Sequence, residues 1–68
     1  MKYEFRGEEI RTLAKEKGVS ITKLARKIGV TRKTIYDWCG GQIPQAHMYL
    51  ELCFILDVGP YRFFEISD

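Results

Sequence analysis

Along most of the chain the hydrophobic positions recur at helical spacing. Ile10, Leu13, Ala14 and Lys17 fall on one face at i, i+3, i+4 and i+7. Gly7 stands where a cap is needed, and Glu8 and Glu9 occupy the first turn, where the helix dipole favours acids. Lys15 and Lys17 load the far end, and Gly18 ends the helix. Ser20 caps a second helix, whose apolar face is Ile21, Leu24, Ala25 and Ile28. Gly29 follows as a left-handed turn residue, with Val30 plugging the turn. Thr31 caps a third helix reaching about Cys39, with Ile35, Trp38 and Cys39 inward. The run Gly40-Gly41-Gln42-Ile43-Pro44 breaks the pattern. A fourth helix is expected from about Gln45 to Leu56. After Asp57-Val58-Gly59, Pro60 suits the first turn of a short fifth helix holding Tyr61, Phe63, Phe64 and Ile66. The expectation is an all-α domain of five helices spanning residues 1–68. One segment competes: Lys2-Tyr3-Glu4-Phe5-Arg6 alternates with the two-residue period of a strand, which leaves open a small pairing of the two termini.

Charge adds what the apolar pattern does not. From Arg11 to Lys33 there are eight basic residues (Arg11, Lys15, Lys17, Lys23, Arg26, Lys27, Arg32, Lys33) and one acid, Glu16. The rest of the chain carries three basic residues and eight acids, so the formal net charge of +2 conceals a strongly positive segment. A localised field of this kind suits a polyanion, whereas a solubilising face normally mixes signs. Sixty-eight residues allow one domain, and 46% hydrophobic residues supply one core. No apolar run is long enough to span a bilayer, and the opening MKYEFRGEE lacks the apolar stretch of a signal peptide, so a cytoplasmic location is expected. Cys39 and Cys53 lie in apolar stretches without CxxC spacing, and with one His they cannot furnish four zinc ligands; buried reduced thiols are expected.

The helix–turn–helix unit, about residues 20–40, is where charge and geometry meet. With Ile35 and Trp38 fixing the inward side of the third helix, Lys33 and Asp37 point away from the core, Arg32 and Tyr36 lie on one outward flank, and Thr34 lies on the other. Arginine or lysine can read guanine O6 and N7 in the major groove. Thr31 can meet a phosphate or a thymine methyl, and Tyr36 a phosphate or a base edge. Asp37 can accept from cytosine N4, or pair with Lys33 at i, i+4. Thr31, Arg32, Lys33, Tyr36 and Asp37 are therefore the candidate base contacts. Free backbone amides at the start of the second helix form a phosphate seat. Candidate phosphate contacts are Lys17, Ser20, Thr22, Lys23, Thr34 and Gln42.

Ala25, Gly29 and Ile35, with apolar residues at Leu24, Ile28, Val30 and Trp38, resemble the phage-repressor and Cro-type (XRE-like) helix-turn-helix family. Gly41, Pro44, Leu52 to Leu56 and Val58 to Phe64 are similar to that family's later pattern. The resemblance covers roughly Gly7 to Phe64. It implies a five-helix, lambda-repressor-like domain whose third helix reads operator DNA from Thr31, Arg32, Lys33 and Asp37. The chain departs from the pattern at Ile21, where many relatives have Gln. It departs again at Cys39 and Ala14, where many have a Glu–Arg pair; packed apolar groups replace such a pair without loss of the fold. The loop after Gly41 is one residue shorter than usual, which bears on Gln42 and Gln45.

Nine of the eleven residues from Ala46 to Leu56 are hydrophobic, more than one buried stripe requires. Ala46, Tyr49, Cys53 and Leu56 are expected inward. Met48, Leu52 and Ile55 form a second stripe, with Phe54 on the other flank. A homodimer interface is expected from Met48, Phe54, Ile55, Phe63 and Phe64, forming in solution or only on DNA. The competing reading has both termini wrapping the helix, with Tyr3 and Phe5 as cover. No catalytic set is present: there is one His, no nucleophile–base spacing and no glycine-rich phosphate loop. No cofactor, metal or small-molecule effector is expected. The leading expectation is a sequence-specific, double-stranded DNA-binding transcriptional regulator of repressor or Cro type. The alternative is a protein-interaction module on the same scaffold, such as an antitoxin or polymerase adaptor.

Overall fold

The computed structural model describes residues 1–68. The order of elements is β1 (Lys2–Phe5), α1 (Glu8–Lys17), α2 (Ile21–Ile28), α3 (Arg32–Cys39), α4 (Ala46–Ile55) and β2 (Phe64–Ser67). Four helices form where the spacing places them. The expected fifth helix does not form: Tyr61 and Phe63 lie in a turn, Phe64 and Ile66 enter a strand, and the fold is mostly helical with one two-stranded sheet. β1 and β2 pair antiparallel, with Tyr3 opposite Ile66 and Phe5 opposite Phe64. The physical reason is non-local. The alternation at Lys2–Phe5 meets a matching alternation at Phe64–Ser67, and pairing puts Phe5 and Phe64 on the same sheet face, their rings 5.3 Å apart. The Arg6 guanidinium closes the arrangement by pairing with Glu8 at 2.7 Å and with Glu65. Arg62 pairs with Glu9 at 3.2 Å.

The helix ends follow the chemistry of their residues. Ser20 Oγ accepts from the Lys23 N–H at 3.0 Å, and Thr31 Oγ1 accepts from the Thr34 N–H at 3.2 Å. Gly29 adopts φ +86°, and both its N–H and that of Val30 donate to the Ala25 carbonyl, which turns the chain sharply between α2 and α3. Gly7 matters for space rather than for rotation. A Cβ there would stand 1.9 Å from the Trp38 carbonyl oxygen, so the absence of a side chain lets the start of α1 rest against the end of α3.

The core gathers Ile10, Leu13 and Ala14 from α1, Leu24 and Ala25 from α2, and Ile35 and Trp38 from α3. Tyr49, Leu52, Cys53 and Leu56 join them, together with Phe63. The inward side of α4 thus differs from the expected stripe: Ala46 is exposed and Leu52 is fully buried. A helix that is apolar on nearly every side does not reveal its buried face in its pattern alone. Tyr49 is the hinge between helices and sheet. Its ring meets Phe5, Phe63 and Phe64 edge-on, and its hydroxyl donates to the Pro60 carbonyl. Cys53 is buried and Cys39 half-buried; both are free thiols, and burial pushes both up from the usual thiol range. No helix is long and apolar enough to cross a membrane.

Candidate nucleic-acid interface

α2 and α3 pack against one another across the Gly29 turn, and α1 braces α3 from behind. Ile35 and Trp38 are buried, which fixes the rotation of α3 about its axis. Thr31, Arg32 and Lys33 are then exposed at its N-terminal end, with Tyr36 exposed one turn further on. Thr34 and Asp37 are half-buried on the flanks. At the start of α2, Ser20, Thr22 and Lys23 are exposed, and Lys17 is exposed just before them. Gln42 is exposed beyond α3. The structure therefore presents most of the residues singled out by sequence on the surfaces of α2 and α3 and the segments that flank them.

Several of these side chains already have protein partners. Thr31 Oγ1 serves its own helix as a cap and lies 3.0 Å from Thr34 Oγ1. Ser20 Oγ is likewise spent on the Lys23 amide. The two caps each satisfy one amide at a helix start. The first amides of the helices, at Ile21 and Thr22 and at Arg32 and Lys33, lie beyond any intrahelical acceptor and point out of the helix ends. Lys33 Nζ bonds Asp37 at 3.1 Å, one turn along α3. An exposed pair at this spacing is worth only ~0.3–0.5 kcal/mol, so it orients Lys33 and yields readily to a stronger acceptor.

The distribution of ion pairs is more informative than the charge count. All eight basic residues between Arg11 and Lys33 are exposed, and only Lys33 has a carboxylate partner. Arg6 and Arg62, outside that segment, are both tied to glutamates. For Arg6 those hydrogen bonds, Glu8 first and then Glu65, raise an already high guanidinium pKa further, and the same Arg6 contact holds the Glu8 carboxyl below its usual range. Acids thus neutralise Arg6 and Arg62 beside the terminal strands, while all but Lys33 of the cations between Arg11 and Lys33 remain available.

One member of this surface is not legible in the sequence. Arg11, on α1, places its guanidinium carbon 5.6 Å from the centre of the Tyr36 ring on α3. Twenty-five positions separate the two, and only the packing of α1 on α3 brings them together. The dimer candidates fare less evenly. Phe63 is completely buried, so it belongs to the core of one chain and is removed from any surface interface. Met48, Ile55 and Phe64 are half-buried against that core. Phe54 is 74% exposed, and Leu50, one turn before it and not singled out by the sequence pattern, is 57% exposed. The apolar surface left on α4 therefore centres on Leu50 and Phe54.

Known proteins supply the remaining comparison. Among solved structures, a crystallised protein from Bacteroides fragilis to which DNA binding is ascribed has the same fold, with a TM-score of 0.75. It is 23% identical, and the match covers 94% of this chain and all of that one. No curated protein matches the chain. A family described as "Helix-turn-helix domain" matches residues 7–62, a span that holds all four helices and the turn at Gly29. The caps at Ser20 and Thr31, the left-handed Gly29 and the match over most of the sequence lead to one assignment: the chain belongs to the helix-turn-helix domain family.

Proposed function

We propose that this chain is a sequence-specific double-stranded DNA-binding transcriptional regulator of repressor or Cro type. One observation carries the reading: seven exposed cations without carboxylate partners lie between Arg11 and Arg32, four of them (Lys23, Arg26, Lys27 and Arg32) on the helix-turn-helix unit itself, whose two helices both start at an exposed cap. Such a surface supplies both the charge and the protruding helix that major-groove docking requires. The resemblance in fold to a protein described as DNA-binding supports it.

In this account α3 enters the groove. Arg32 reads a guanine through two hydrogen bonds, and Lys33 reaches a neighbouring base edge. Asp37 releases Lys33 and either accepts from cytosine N4 or penalises a mismatched site. Thr31, its oxygen held by capping, offers its methyl to a thymine. Tyr36 borders this surface. The amides of Ile21 and Thr22, with Lys17, Ser20, Thr22 and Lys23, seat one phosphate strand; Thr34 and Gln42 lie beside the groove. One such unit reads too few base pairs to single out a site, so two copies bind a palindrome with recognition helices one helical turn apart, ~34 Å. The copies meet through the exposed face of α4, around Leu50 and Phe54, with Met48, Ile55 and Phe64 at its margin. No effector, metal or enzymatic step enters this account, and the protein works in the cytoplasm.

Selection from a pool of random duplexes tests the proposal. A short inverted repeat should be enriched. Arg32→Ala should then weaken binding to it by ~1–3 kcal/mol and relax preference at one base pair, whereas Lys23→Ala should weaken all duplexes alike. A pool that stays random would refute sequence-specific recognition.

A further inference from the structure

Resting on the DNA-binding reading above, we propose that α1 contributes a third element to the interface, with Arg11 clamping a backbone phosphate while the Tyr36 ring holds its guanidinium in place.

Three observations support this role. First, Arg11 is exposed and has no carboxylate partner, so its donors are not committed within the chain. Second, its guanidinium carbon stands 5.6 Å from the centre of the Tyr36 ring, a cation–π contact between α1 and the helix that presents Arg32. Tyr36 is 48% exposed, so the ring is covered on the α1 side while part of it still faces solvent. Third, the pair continues an existing row. Arg32 and Tyr36 are one turn apart on the same outward flank of α3, so Arg32, Tyr36 and Arg11 extend that flank from the recognition helix onto α1. Lys15 lies one turn beyond Arg11 on α1, exposed and unpaired, and carries the positive row further.

Stacking fits a phosphate clamp in particular. A free arginine loses rotamer freedom when it binds; one already laid on an aromatic ring has lost part of it, and its planar fork keeps its N–H groups for an anion. A phosphate contact also fits the position of Arg11, because it comes from the helix behind α3 and not from the helix in the groove. Base reading stays with α3, and Arg11 adds affinity and register without sequence preference. Tyr36 is then a positioning residue for Arg11 through its ring, and its hydroxyl is dispensable.

Fluorescence anisotropy with a mixed-sequence duplex of about 20 base pairs, titrated at several salt concentrations, tests the clamp. One phosphate contact contributes ~0.9 to the slope of log K against log salt, which at about 0.1 M salt is a factor of ~8 in affinity. Arg11→Ala should reduce the magnitude of the slope by about that amount, equally on mixed-sequence and selected duplexes. Tyr36→Leu should weaken binding while keeping the charge of Arg11, and Tyr36→Phe should restore wild-type behaviour. In the Arg11→Ala background, Tyr36→Leu should add little. Thermal melts of each variant separate these effects from loss of fold. If Lys23→Ala lowers the slope and Arg11→Ala, still folded, does not, the clamp is wrong and the DNA-binding reading stands. A wild-type protein without affinity for duplex would overturn both.

Discussion

Replacing Phe63 by alanine separates the core of one chain from the surface between chains. Phe63 has no exposed surface, meets the Tyr49 ring edge-on at 6.2 Å and carries the Arg62 guanidinium over its face at 5.8 Å. Truncating a buried phenylalanine costs ~3–5 kcal/mol in lost burial and cavity formation, and loss of the ring pairs places this site in the upper half of that range. A domain of 68 residues has a total stability of only about 3–10 kcal/mol at ~0.05–0.15 kcal/mol per residue. Each kilocalorie moves Tm by ~4–8 °C at this size, so Phe63→Ala should lower Tm by roughly 16–40 °C or abolish folding. Phe54 is the matched comparison. It is the same side chain nine positions away, but 74% exposed, and it has less than ~1 kcal/mol of burial to lose while alanine gains helix propensity. Urea unfolding followed by Trp38 fluorescence, at a protein concentration low enough to keep the chain monomeric, measures both. A Phe63→Ala cost below about 1 kcal/mol, or a Phe54→Ala cost above about 2, would refute the assignment of Phe63 to the core and Phe54 to the surface.

Three further outcomes follow from the same contacts. Phe54→Glu should abolish self-association in sedimentation, free and on a selected palindrome, without lowering Tm; an unchanged dimer would remove α4 from the interface. Gly7→Ala should destabilise the fold by at least ~1–3 kcal/mol, because its Cβ would stand 1.9 Å from the Trp38 carbonyl oxygen, and an unchanged denaturation midpoint would show that α1 shifts freely on α3. Burial raises Tyr49 and Cys53 above their unfolded values, so the stability they contribute is complete below the unfolded pKa values and is lost as pH rises through the folded ones. Denaturation midpoints should therefore fall progressively above about pH 8.5–10, the unfolded values of thiol and phenol, and Tyr49→Phe should flatten the upper part of that fall.

What the sequence reveals about this protein depends on the range of the interactions involved. Ser20, Gly29 and Thr31 act within four residues of themselves, and their roles are legible because caps and left-handed turns are local. The inward faces of α1, α2 and α3 are legible for the same reason, since mixed polar and apolar positions reveal a rotation. The strand at Phe64–Ser67 is not. Four apolar residues after a proline satisfy a short helix as well as a strand, and the deciding partner lies some sixty positions away at Lys2–Phe5. The alternation at that partner, matched by the short one at Phe64–Ser67 itself, is the trace it leaves in the sequence. The buried face of α4 is hidden by its own hydrophobicity, which explains why Leu52 exchanges places with Ala46 and why Leu50 emerges only in the structure. In the candidate interface, residue types and exposure are legible. The Arg11–Tyr36 contact and the pairing state of each cation are not, because they depend on how α1 packs on α3.

The central claim is that four to six of the eight exposed cations between Arg11 and Lys33 meet phosphate, and the salt dependence of binding to double-stranded DNA tests it most directly. Four to six phosphates neutralised per chain at ~0.9 each predict a slope of log K against log salt of roughly −4 to −5 for one chain, doubled for two chains on a palindrome. A slope near −1 with affinity weaker than ~10⁻⁴ M, the loose end of nonspecific DNA binding, would contradict the account and favour a protein partner for this surface.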